Sequence, residues 1–473
     1  MFKRPLPILA LTTIAITQTL QAGTLSVPSA SYPTLPIAIN AAASGDEIVL
    51  APGQYIAVPG FVINNKQLTL RGSSSNPADT VLDGFDVADN VVLTITGSGS
   101  SDTTLQNLTV TGGLNTSSGA GISSNTSITL IDCVVRDNGV TGFESDGPAL
   151  YTTAGNVTCT RCTFSGNSIV EAGDAGAVFV ISGNVIIEDC TFTDNGQDPA
   201  AIDTEARGGA LRVDSGSLSL RRTTFVDNRC GRGGALFVSQ DAHLYIDACV
   251  FRDNSAWKGA GLYISGTTAG RTRVIRNTLF DGNMTSSNDA ALFTDRPLTV
   301  TNCTIVNNMS GGDYILGGSP PANSVIVDNC ILWGNTGSVL LPAPMAAIVR
   351  RSTLQSAYAA AGPGSGNNTL DDPRFLNDAS NFRLRPNSPA IDAGDSNLYF
   401  GPFADLDGNL RGVDIPAVAD TGFSIDGPVI DRGCYEHQPE VVTPGCSGDV
   451  TGDHVVDFAD LNELLENWGT MCP

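Results

Sequence analysis

Between Ser127 and Asn335 one short pattern returns eight times, and that recurrence constrains the fold more than any other feature of the chain. Each copy carries an apolar pair at alternating positions, two usually polar residues, a Cys or Thr, a second apolar pair and a closing Asn, as in SITLIDCVVRDN and NVIIEDCTFTDN. The closing residues are Asn138, Asn167, Asn195, Asn228, Asn254, Asn283, Asn308 and Asn335, spaced 25 to 33 apart. Such a period belongs to repeat architectures, and the period-2 alternation inside each copy excludes helical solenoids. Between copies lies a glycine-led element, GGALRV from Gly208, GGALFV from Gly233 and GAGLYI from Gly259. Three short strands per repeat with turns between them describe one coil of a parallel β-helix, so the fold class is all-β.

The alternation assigns faces. Val185, Ile187, Cys190 and Phe192 are expected inward, and Ile186, Glu188, Asp189 and Thr191 outward or at the bend. The recurring Asn is expected in the left-handed conformation a tight turn needs. Its amide can donate to and accept from the Asn one coil away, across a coil spacing of ~4.8 Å. Cys133, Cys162, Cys190, Cys249, Cys303 and Cys330 share one inward position, with Thr223 and Thr278 substituting, which reads as a packing column of small side chains. The CxxC at Cys159 and Cys162 has no partner pair at zinc spacing and falls on inward positions, so it reads as core. Asp137, Asp194, Asp227 and Asp253 recur just before the Asn and read as turn residues.

With 52 glycines among 473 residues and 15% charged residues, the composition suits a turn-dense chain. A formal charge of -23 and only three lysines argue against nucleic acid or an anionic membrane as partner. Lys3 and Arg4, the apolar run Leu6 to Ile16 and the site Leu20-Gln21-Ala22 read as an export signal over residues 1–22. The run is shorter than the ~20 residues of a membrane span. The mature chain is therefore expected to be extracellular, at the cell surface or periplasmic, without membrane insertion.

Residues 23–439 are assigned to the β-helix, with a terminal cap region at 371–437, a linker at 440–445 and a separate module at 446–473. In YPTLPIAINAAASGDEIVL, Thr34 is expected to cap a short helix with Leu35, Ala38, Ile39 and Ala42 on one face, and Gly45 to end it. That helix would cover the open end of the first coil. This stretch, with NNKQLTLRGSS and TVLDG after it, resembles the start of the right-handed parallel β-helix proteins of the pectin-lyase-like group. The resemblance implies that fold and carries no catalytic residue. Phe-x-x-Asn elements such as Phe164/Asn167 and Phe251/Asn254, alternating with Gly-Gly-Ala-Leu, resemble the repeats of chlamydial polymorphic outer membrane proteins. In that family they build a passenger β-helix implicated in adhesion, followed by a membrane barrel that has no room here. NFRLRPNSPAIDAGD, DLDGN and DRGCYE resemble the terminal coils of exported bacterial β-helix proteins. Asp405, Asp407 and Asn409 read as turn residues, because the glycine of DLDGN stands in the wrong place for an EF-hand.

In the tail CSGDVTGDHVVDFADLNELLENWGTMCP, Asp449, Thr451, Asp453, Asp457 and Asp460 fall at calcium-loop positions 1, 3, 5, 9 and 12, with Val455 offering its carbonyl at 7. Leu461, Leu464, Leu465 and Trp468 line one face of the helix that follows. The tail resembles one calcium repeat of a dockerin. The resemblance implies bound Ca2+ and a cohesin-like or cell-surface partner, although His454 stands where glycine is usual and the second repeat is missing. Cys446 and Cys472 bracket the module, and a bridge between them would stabilise it.

If the leucines and valines of the glycine-led elements face inward, Tyr151, Phe179, Arg212, Phe237, Tyr263 and Phe293 stack outward in one column. Exposed aromatic rows bind sugar rings or mark an interface, so this column is a candidate polysaccharide-binding surface. A lyase needs a base and a cation, and a hydrolase two placed carboxylates. Outward acids such as Glu188 and Asp189 exist, but no catalytic residue can be named from the pattern. The expected function is an exported, non-catalytic adhesion, scaffold or carbohydrate-binding protein with a calcium-dependent attachment module. The alternative is an extracellular polysaccharide lyase or glycoside hydrolase recruited through the same tail.

Overall fold

The computed structural model describes residues 22–438 apart from 98–101, 143–144, 170–175, 198–202, 267–269, 287–290, 312–314, 337–346, 356–364, 400 and 402–403. The export signal, the linker, the calcium module and the Cys446/Cys472 pair therefore lie outside the described residues, save residue 22. Within them the apolar alternation does what a half-buried strand requires: each strand turns one face to a shared interior and pairs in parallel with the coil before and after. Val157–Thr160 lies between Ile128–Ile131 and the second half of Val178–Glu188. Thr163–Ser165 lies between Val134–Arg136 and Thr191–Thr193, and the glycine-led strand Leu150–Thr152 pairs with Val178–Val180. A fourth strand of two to four residues follows the ladder Asn, as in Ser168–Ile169 beside Gly139–Val140 and Gly196–Gln197, and Arg229–Arg232 beside Ser255–Lys258. It is too short for any periodicity to reveal. In Val178–Glu188, Leu211–Arg221 and Leu236–Asp247 the glycine-led strand runs on into the next one without a break.

The interior is built from columns. Val185, Ile187, Cys190 and Phe192 are buried as expected, whereas Ile186 between them is 43% exposed. Phe164, Phe192, Phe225, Phe251 and Phe280 stack nearly parallel, with centroids 4.6 to 4.8 Å apart. Fully burying each such side chain contributes about 1.5–3 kcal/mol. The cysteine column is buried and its thiols are free. It packs thiol against backbone, as in Cys162 N to Cys190 Sγ at 3.3 Å, and Thr223 takes the same place for Cys190 N.

The eight asparagines form an unbroken buried ladder. Each Nδ2 donates to the Oδ1 of the next, from Asn138 to Asn167 at 3.0 Å through to Asn308 to Asn335 at 2.9 Å. The left-handed turn position, however, is not the ladder Asn but the residue before it: Asp137, Asp194, Asp227, Asp253 and Asn307 have φ of 52 to 55°. The ladder Asn closes the same turn from its side chain, whose Nδ2 also donates to the carbonyl two residues back, as in Asn138 to Arg136 O at 2.9 Å and Asn308 to Val306 O at 2.8 Å. A second left-handed corner precedes the cysteine column. In early coils it carries Asp132, Arg161, Asp189 and Arg222, which pair across coils outside the helix. In the last coils it carries Asn277, Asn302 and Asn329, which instead bond the terminal region.

At the amino end, Leu35–Ala41 is helical and buries Leu35, Ala38 and Ile39 in the main core, with Ala42 beside them. Thr34 makes no side-chain cap bond, because Pro at the start of the helix removes one of the backbone donors a cap would satisfy. The helix ends before Gly45; Lys66 Nζ closes it by donating to the carbonyls of Ile39 and Asn40 at 2.7 and 2.9 Å. At the other end the chain adds single parallel bridges at Gly366 and Thr369 and then leaves the coil path. Phe375–Asn377 and Asn381–Leu384 form an antiparallel pair. Phe375, Phe382, Ile391 and Tyr435 cover Leu279, Val306 and Ile331, which point outward from the last coils. The region 371–437 thus lies along the flank of those coils.

Candidate functional site

The predicted aromatic column exists in register: Tyr151 opposite Phe179, Phe179 opposite Arg212, Arg212 opposite Phe237, Phe237 opposite Tyr263 and Tyr263 opposite Phe293. It is not an exposed row. Phe179, Phe237, Tyr263 and Phe293 are 4 to 7% exposed, and Tyr151 alone is half-buried. The ring faces are taken by each other, at 5.3 Å for Phe237 with Tyr263 and 4.3 Å for Tyr263 with Phe293. Arg212 fills the gap between Phe179 and Phe237 and is held by Asp214 through two bonds of 2.9 Å. A sugar ring arriving there meets ring edges rather than faces.

The more open chemistry lies one column over, on the outer face of the strands that precede the cysteine corner. Strand register places Glu188, Arg221, Asp247, Arg276, Thr301, Asp328 and Arg350 in one line, one residue per coil. The signs alternate, with the single interruption at Thr301. Every member stands two residues before the Cys, Thr or Ser of its copy, so the line could have been read from the aligned repeats. Glu188 lies 3.8 Å from Arg221, Arg276 3.1 Å from Asp247, and Arg350 grips Asp328 through bonds of 2.7 and 2.6 Å.

Over the last coils this face becomes a groove of about 510 Å³. Tyr245, Val274, Thr299 and Ile326 form the next outward line of its floor, the charge ladder lies beside them, and Leu398 and Tyr399 rise as a wall from the terminal region. Asn277 fixes that wall. Its Nδ2 donates to Tyr399 Oη at 2.9 Å and to Asp247 Oδ1 at 3.0 Å, and its Oδ1 accepts from Arg411 Nε at 2.9 Å. Arg276 lies over the Tyr245 ring at 4.6 Å. Burial pushes the Asp247 and Asp328 carboxyls and the Tyr399 hydroxyl above their ordinary values. For Asp328 the two short bonds to Arg350, whose own value that contact raises, work against that push. A second hollow, about 490 Å³ beside Trp257 and Met284, is mostly apolar and has Arg229 as its one charged lining residue among those described.

These carboxylates do not make a hydrolytic pair. Asp247 and Asp328 are three coils apart, ~14 Å at the strand spacing, whereas two glycosidase carboxylates stand about 5 to 9.5 Å apart. Glu188 and Asp189 are likewise engaged, by Arg221 and Arg222. Asp405 reads as expected for a turn, accepting from the backbone of Asp407, Asn409 and Glu436, and Asp407 is paired with Arg383. The groove can hold a polar chain molecule by donors, acceptors and apolar contacts; among the described residues that line it, Asp328 is the one carboxylate.

Known proteins resemble the chain at the level of fold. A sequence family described as a right handed beta helix region matches residues 90–279. Among solved structures, pectate lyase Pel9A aligns with 13% identity over 88% of this chain and 97% of its own, at a TM-score of 0.42. The pectin methylesterase from Aspergillus niger aligns with 18% identity over 55% of this chain and 84% of its own, TM-score 0.27. The catalytic domain of a GH87 alpha-1,3-glucanase aligns with 13% identity over 73% and 68%, TM-score 0.35. No curated protein matches. Among the described residues no helix is long and apolar enough to cross a membrane. The matched family and the parallel register of every coil describe one architecture, and the chain is a right-handed parallel β-helix.

Proposed function

We propose that this is an exported carbohydrate-binding β-helix protein that holds a polysaccharide in the groove between the charge ladder and Tyr399, without cleaving it. The observation that carries the reading is the groove itself: fixed donors and acceptors on a rigid sheet, flanked by tyrosine and threonine side chains, match the alternation of hydroxyl and apolar faces along a sugar chain. The same outward line continues through Ser219, Ile186 and Thr158, so a chain longer than the groove can follow it. In this reading the helix Leu35–Ala41 closes the first coil. Asp449, Thr451, Asp453, Val455, Asp457 and Asp460 hold Ca2+ in the tail and attach the protein to a cohesin-like or cell-surface partner.

The test is retention of acidic and neutral polysaccharides by the purified protein, with a parallel assay for new reducing ends and unsaturated uronates. Thr299→Trp fills the groove floor without breaking an ion pair and is expected to weaken binding at least about tenfold, a loss of ~1.4 kcal/mol, with no change in melting. Phe237→Ala with Tyr263→Ala tests the aromatic column separately. Loss of binding there but not in Thr299→Trp moves the site to the column, and release of products by the parent protein overturns the non-catalytic reading.

A further inference from the structure

Asp392 sits in the terminal region within a buried run from Ala390 to Gly394, with its side chain fully closed to solvent. Its Oδ1 has no hydrogen-bond partner, and its Oδ2 receives only a long bond from Ile415 N at 3.4 Å. An isolated ionised carboxylate is strongly disfavoured in such a place unless a positive charge meets it. The chain wraps acids around it instead. Its own carbonyl anchors the loop by accepting from Thr421 and Gly422 N at 3.0 and 2.9 Å. That loop returns Asp414 and Asp420, both exposed, so that one oxygen from each of the three carboxylates lies within 4.8 Å of the others. Among the described residues no arginine or lysine is paired with any of the three.

The neighbouring acids are already answered. Glu436 is engaged by Arg411 and by the N–H groups of Gly412, Val413 and Asp431. Asp431 accepts from Asp392 N at 2.8 Å and His437 N at 2.6 Å. Asp392 differs from both in having a carboxylate oxygen that receives no hydrogen bond at all.

We propose that Asp392, Asp414 and Asp420 bind a hard divalent cation, calcium by its chemistry, at a site separate from the tail module. Calcium takes oxygen ligands at about 2.3–2.6 Å, so two of its ligands can be at most ~5 Å apart, which the cluster satisfies. Its high coordination number suits a site with one buried and two exposed carboxylates, because water completes the shell on the open side. The ion would join the loop carrying Asp414 and Asp420 to the segment that continues through Asp395, which bonds Asn329, to Leu398 and Tyr399.

The experiment uses the full chain with Asp449→Asn and Asp460→Asn, which silence the tail. It is stripped of metal by chelator and titrated with calcium chloride by calorimetry slightly above neutral pH. One calcium per chain is expected, with a rise in melting midpoint. Adding the exposed pair Asp414→Asn and Asp420→Asn should weaken binding at least about tenfold and abolish the rise while circular dichroism stays unchanged. Absence of binding at millimolar calcium overturns the proposal. Unchanged affinity in the Asp414/Asp420 variant overturns it equally.

Discussion

Asn228 shows how much one side chain carries in a stacked fold. Its Oδ1 accepts from the N–H and the Nδ2 of Asn195 at 3.2 and 3.0 Å, and its own Nδ2 donates to Asn254 Oδ1 at 2.9 Å and Phe192 O at 3.0 Å. Asn228→Ala removes one partner from several buried groups at once, each of which costs about 1–3 kcal/mol when left unsatisfied. Chemical denaturation should show a loss of about 2–4 kcal/mol, larger than for a surface Asn such as Asn184. Phe225→Ala, in the middle of the ring stack, is expected to cost about 3–5 kcal/mol by the same measurement. The coil cysteines give a different readout. Burial pushes the Cys249 thiol up to about 12, so it carries almost no thiolate near pH 8. A disulfide-exchange reagent followed by peptide mapping should leave Cys249 unmodified in the native protein and label it after denaturation.

Among the elements, the terminal region depends on one pair with no access to water. Arg411 and Glu436 are both fully buried and 3.3 Å apart. Burial raises the Glu436 carboxyl above its ordinary value while Arg411 pulls it down. Removing one partner of such a pair costs about 3–5 kcal/mol, so Arg411→Met should loosen this region while the coils stay intact. The pH dependence has a definite sign. A carboxyl raised on folding favours the folded state below its unfolded value and loses that contribution as pH rises through the folded value. Without Arg411 the raise grows, so the Arg411→Met penalty should deepen from acid to neutral pH and shrink again on acidification. A pH-independent penalty in the melting curves would show that Glu436 is neutral throughout.

This element also marks where sequence reading stops. The coil faces, the ladder and the phenylalanine stack were legible because one copy predicts the next. The wall of the groove was not: Tyr399 meets Asn277 across 122 positions, and no period relates them. Nor could the alternation show that Asp137 rather than Asn138 takes the left-handed turn, since both residues suit it. The aromatic line was found in the right register, but its exposure was not, because burial there depends on what packs over the outer face rather than on the strand itself.

For the whole molecule, stability is distributed along an axis. Each coil touches its neighbours, so local opening should start where a coil lacks a partner or a full set of columns. Hydrogen exchange is expected to be slowest between Val185 and Asn254, where the ring stack and the ladder coincide, and faster in Thr24–Val27 and beyond Thr353. A uniform rate along the solenoid would instead mean that it opens as one cooperative body. The same axis gives the molecule unlike ends. From Asn138 to Asn308 each ladder amide sends one N–H to the Asn of the next, carboxy-terminal coil, and each oxygen from Asn167 onward accepts from the amino-terminal one, so the side-chain bonds of the row all run in one sense. A whole coil can be inserted or deleted within that row without reversing a single bond, but two such rows cannot be joined end to end in opposite senses. Lengthening by duplication is therefore permitted by the polarity of the asparagines, and symmetric head-to-head extension is forbidden by it.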